Sequence, residues 1–121
     1  MNAYQATAKT GTSPRQLESA LLMKAAARLK RVQDLWDSEN RDLEAALAYN
    51  RKLWTILATS ATDIDSPLPS DLKRNIALIA IFVFNRSLDL IMEPNQGDLT
   101  ALIDINKTIA QGLSTEPAEA A

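Results

Sequence analysis

An all-α, single-domain bundle is the fold class this sequence predicts: four main helices plus a short N-terminal helix, closed by a disordered C-terminal tail. Three observations carry the prediction. Apolar residues recur at alternating steps of three and four along four segments. Proline and glycine fall between those segments rather than inside them. No stretch alternates apolar and polar residues in the way a half-buried strand does.

Residues 2–9 are compatible with a short helix that ends near Thr10-Gly11. "TSPRQLES" then reads as a helix start, with Ser13 as N-cap, Pro14 at the first helical position and Gln16 closing a capping box. From there Leu22, Ala25, Leu29, Val32 and Trp36 form one apolar stripe. A polar break at Asp37–Asn40 predicts a second helix capped by Asp37 or Ser38, with Leu43, Ala46, Leu47, Asn50, Leu53, Trp54, Leu57 and Ala61 on its main face. "DIDSPLPS" is a loop, because Pro67 and Pro69 cannot both sit inside a helix, and Pro69 or Ser70 starts the third helix. That helix runs to about Met92, before the breaker "EPNQG". The fourth, from Asp98 to Gln111, carries Leu99, Leu102, Ile103, Asn106 and Ile109, with Gly112 as the expected C-terminal cap. The domain is therefore placed at residues 1–113, and "STEPAEAA", residues 114–121, holds too little apolar mass to fold.

The 121 residues include neither cysteine nor histidine. Disulfides, thiolate nucleophiles, Cys/His zinc sites and imidazole bases are thereby excluded. A net charge of −2 offers no global field for nucleic acid or an anionic membrane. "MNAYQATAKTGTS" lacks the charged-then-apolar layout of a signal peptide, so a cytoplasmic protein is expected. No phosphate-cradling glycine loop or carboxylate cluster on an apolar face is present, and the two aspartates of "DIDS" fall short of a calcium loop. The sequence predicts no enzyme, no cofactor and no metal.

Two features exceed what a simple bundle needs. "IALIAIFVF", Ile76–Phe84, is apolar all round the helix, yet this run is far shorter than the roughly 20 residues of a bilayer span. Either it is a central helix surrounded by neighbours, or one side is covered and the other is open to a partner. Tyr49, Leu53 and Ile56 likewise make a second stripe beside the main face of the second helix. Asn50, with apolar neighbours one and two turns away, needs a partner across the core, and Asn106 occupies the matching position in the last helix. Trp36 and Trp54 read as core residues. Lys24, Arg28 and Arg31 form a basic stripe, read either as a solvated face balanced by Asp34, Asp37, Glu39 and Asp42 or as a contact for RNA.

Four strings occur in order along the chain: "SPRQLESALLMKAAARL", "ALAYNRKLWTIL", "PLPSDLKRNIALIAIFVFNRS" and "LIDINKTIAQGL". Together they resemble the FlaF family, flagellar biosynthesis regulators of alphaproteobacteria, over Tyr4–Leu113. The resemblance implies a non-enzymatic cytoplasmic protein that binds flagellin in a chaperone-like way, promotes its synthesis and secretion, and acts opposite FlbT, a regulator of flagellin mRNA. It carries no catalytic residues across. Read from the residues themselves, the expected partner surface comprises Tyr49, Leu53 and Ile56 with Phe82 and Phe84, and Arg51, Lys52, Lys73 and Arg74 at its rim. Its occupant is expected to be a terminal helix of flagellin, and truncating Phe82 and Phe84 to weaken binding without melting the domain. The alternatives are a translational regulator that contacts flagellin mRNA directly or through FlbT, and a homo-oligomer that covers its own apolar surface.

Overall fold

The computed structural model describes residues 14–39 and 41–114. The predicted N-terminal helix and most of the predicted tail lie outside the described residues. Four helices make up the fold: α1 (Pro14–Asp34), α2 (Leu43–Thr62), α3 (Ser70–Met92) and α4 (Leu99–Ser114). The described residues contain no strand.

Helices α1 and α4 form the closest pair in the bundle, and they run antiparallel. At one end the buried Ser19 hydroxyl donates to the Ala110 carbonyl at 2.7 Å. At the other, Gln33 Nε2 donates to the Gln96 carbonyl at 3.0 Å and to Thr100 Oγ1 at 2.9 Å. Gln96 Nε2 returns a bond to the Gln33 carbonyl at 2.9 Å. Helix α2 packs on both α1 and α3. The shared core takes in the stripes read from the sequence, with Leu22, Leu29, Leu47, Trp54, Leu99 and Leu102, and adds Val83 and Leu90 from α3, for which the sequence predicts no stripe.

The link between α1 and α2 departs from the prediction. Asp37 and Ser38 do not cap α2, which starts at Leu43 behind Asp42 in the left-handed region (φ 56°), with no side-chain cap bond. Trp36 lies beyond α1 rather than on its stripe, half-buried against the core. The residues between are used to close the turn. Ser38 N–H bonds the Leu35 carbonyl at 2.8 Å, and Arg41 donates to the Trp36 carbonyl at 2.9 Å while its guanidinium lies 4.2 Å from the Trp36 ring centre. An aspartate tolerates the positive φ better than most residues because its short polar side chain is compatible with that region.

Helix α3 starts behind Pro69, as expected, and ends at Met92. In the preceding loop Asp63 Oδ1 accepts from the Asp65 N–H at 2.8 Å, and the Asp63 carbonyl accepts from Lys73 Nζ at 3.1 Å. The acidic "DIDS" is therefore a turn that α3 helps to fasten. At the far end, α4 does not stop at Gly112 but runs on to Ser114. A Cβ at Gly112 would meet nothing within 4 Å. Because glycine in a helix is less favourable than alanine by about 0.5–1 kcal/mol, Gly112→Ala is expected to raise stability by about 0.5 kcal/mol. A urea melt of the variant checks this.

Candidate partner-binding face

Helix α3 is not surrounded by its neighbours. Its covered side is a narrow stripe of Ile76, Ala80, Val83, Ser87 and Leu90. On the opposite side Leu78, Ile81, Leu88 and Met92 are 58, 55, 53 and 76% exposed. Phe82 and Ile91 flank them, also exposed. The Arg86 guanidinium lies 5.1 Å from the Phe82 ring centre and pairs with Asp98 Oδ1 at 3.7 Å, which ties this part of α3 to the start of α4. The all-round apolar run thus resolves into one side for the core and one side open to solvent. Contiguous exposed apolar residues of this kind, unlike singly scattered ones, are a feature of surfaces that meet proteins or membranes. By length and composition alone α3 is also long and apolar enough to cross a membrane, although five of its side chains are buried in this bundle.

The residues expected at the partner surface are distributed differently. Leu53 is buried and belongs to the core. Phe84 is half-buried and packs against it. Tyr49 is half-buried as well, its ring beneath Arg28 at 4.8 Å and Lys24 at 5.8 Å, so α1 engages it rather than α3. Ile56, Arg51 and Lys52 are exposed on α2. Lys73 is held by the Asp63 carbonyl, and Arg74 stands in solvent, 3.5 Å from Asp71. Phe82 is the one apolar member of the expected set exposed on α3, and Arg74 continues the same face toward the N-terminus. Leu78, Ile81, Leu88 and Met92 were not singled out from sequence. Their signal is phase: each falls across the helix from Ile76, Ala80, Val83 and Ser87 when residues advance 100° apiece.

The two buried asparagines do meet. Trp54 Nε1 donates to Asn106 Oδ1 at 2.9 Å, and Asn106 Nδ2 donates to Asn50 Oδ1 at 2.7 Å. All three residues are wholly buried. The indole can only donate, so it fixes which way Asn106 points, and Asn106 in turn fixes Asn50. Asn50 Nδ2 is buried and has no hydrogen-bond partner among the described residues. This relay locks α2 against α4 and offers no opening to a ligand. The basic stripe lines a shallow depression with Lys24, Ala27, Arg28, Lys30, Arg31, Asp34 and Leu35. Lys30 is paired with Asp34 at 3.1 Å, while Lys24 and Arg28 cover Tyr49. Among the described residues no three His, Cys, Asp or Glu side chains come together to hold a metal.

The family model of the flagellar protein FlaF matches residues 1–113, which takes in all four helices up to the last turn of α4. The chain belongs to the FlaF family. No curated protein and no solved structure matched it. A flagellar role follows for this FlaF chain.

Proposed function

We propose that this chain is a cytoplasmic, non-enzymatic flagellar regulator that binds flagellin in a chaperone-like way and promotes its synthesis and secretion for filament assembly. The observation that supports this reading is the open apolar face of α3, about four helical turns long from Leu78 to Met92. An amphipathic helix can lay its own apolar side on such a face, with anchors at every third and fourth residue. The terminal helices of unassembled flagellin are the proposed occupants, since they bury their apolar sides only when filament subunits meet. Arg74 and Arg86 at the edges of the face are the proposed rim charges, with Phe82 as the aromatic anchor. The link to FlbT is then functional: one protein protects and delivers flagellin while the other governs its message.

Calorimetric titration of the full chain with monomeric flagellin, run beside flagellin lacking its terminal helices, tests the proposal. Saturable binding lost on truncation is the expected result. Equal binding of both forms would place the contact elsewhere on flagellin. No binding at micromolar concentration, together with salt-dependent binding of flagellin mRNA that needs Lys24, Arg28 and Arg31, would transfer the role to the basic stripe.

A further inference from the structure

The open side of α3 has a pattern beyond being apolar. Leu78, Ile81, Asn85, Leu88 and Met92 follow one another in steps of three, four, three and four, and all five are exposed. These are the a and d positions of a heptad seam, with a single asparagine at its centre. The pattern is also symmetric to within one residue, a rise of about 1.5 Å. Seven residues before Asn85 stands Leu78, and seven after it Met92; Ile81 and Leu88 lie four before and three after.

We infer that a second copy of this chain covers the face, α3 against α3, in an antiparallel two-fold pair centred on Asn85. The axis sets Asn85 opposite its own copy, where two amides can bond each other and fix the register, as a lone seam asparagine does in coiled coils. Ile81 then meets Leu88 of the second copy, and Leu78 meets Met92. Charge selects the antiparallel arrangement. Continuing the same steps toward the N-terminus, the seam reaches Arg74 and Asp71, both exposed. A parallel pair would stack each on its own copy, like charge on like. In the antiparallel pair Arg74 instead falls opposite position 96, about one turn past the end of the other α3 at Met92, where its long side chain can reach back toward Glu93. The last turn of α3 has no basic residue, carries the negative end of the helix dipole and is followed by Glu93.

The pairing is independent of the flagellin reading; its consequence, competition with a flagellin helix for the same side chains, rests on that reading. The chain has no cysteine, so single cysteines introduced into the full chain report the geometry directly. Under mild oxidation Asn85→Cys is expected to cross-link to itself. Leu78→Cys is expected not to, because its two copies lie about 21 Å of helix axis apart, yet to join Met92→Cys when the two variants are mixed. Sedimentation of the unmodified chain should show a dimer that Ile81→Glu converts to a monomer of unchanged helicity. Self-linking of Leu78→Cys as fast as that of Asn85→Cys overturns the antiparallel pair. A chain that stays monomeric at tens of micromolar, or that floats with phosphatidylglycerol vesicles instead of pairing, overturns the dimer. None of these measurements contains flagellin, so a dimer that ignores flagellin would refute the proposed function alone, and a flagellin-binding monomer would refute the pairing alone.

Discussion

Replacing Asn106 with alanine is expected to remove about 3–5 kcal/mol of stability, enough to unfold much of a domain whose whole margin is of order 5–15 kcal/mol. The substitution strands two buried groups at once. Trp54 Nε1 loses its acceptor and Asn50 Oδ1 loses its donor. Each buried group left unpaired costs about 1–3 kcal/mol, and the space vacated by the amide adds a cavity term. Asn50→Leu is expected to cost about 1–2 kcal/mol less than Asn106→Ala. It strands only the Asn106 Nδ2 donor, and it removes a buried N–H that has no partner among the described residues. The order of the two midpoints in urea, followed by the emission of the buried Trp54, decides the matter. If Asn50→Leu proves the more damaging, the direction of the relay is wrong.

The Asn50–Asn106 half of that relay was legible in the sequence, because an amide on an apolar stripe has to find a partner and Asn106 stands in the equivalent place; the Trp54 donor was not, since an indole on the same stripe reads simply as core. Pro69-Ser70 was legible for a similar reason, since a fixed φ and a missing N–H allow few positions in a helical chain. The start of α2 was not. Asp37 and Ser38 have good capping chemistry, but the Trp36–Arg41 stack draws the chain into a turn and moves the first helical residue to Leu43. Gly112 was misread by the same kind of local rule: a glycine near a helix end suggests a stop, yet nothing there requires a left-handed residue, and the helix continues. At the candidate site the excess of apolar residues was visible in sequence, whereas its division between core and solvent was not. A helix apolar on all sides carries no internal sign of which side its neighbours cover. Tyr49 shows the limit again. Its stripe with Leu53 and Ile56 is real, but Leu53 is buried in the core and Arg28 lies over the Tyr49 ring.

Changing Ile81 and Leu88 together to glutamate is expected to weaken flagellin binding by at least about 100-fold while leaving the melting temperature within about 2 °C. The two side chains are more than half exposed in the free chain, so their replacement removes little from the fold; surface changes away from special features stay within about 0.5 kcal/mol. Covering them with a partner helix would bury the half of each that is still exposed, at about 0.8–1.5 kcal/mol apiece, and two carboxylates in their place must shed their water instead, at about 1–3 kcal/mol or more each. Losing even 3 kcal/mol is more than a hundredfold in affinity. Phe84→Ala supplies the contrast. Its ring packs against the core, so truncation is expected to lower stability by about 2 kcal/mol, and any loss of binding would follow the unfolded fraction. Since the same two glutamates also abolish pairing between copies, the titration belongs at chain concentrations where the unmodified protein is monomeric. Undiminished binding by the double variant there would remove the open face of α3 from flagellin recognition, and leave it to self-association alone.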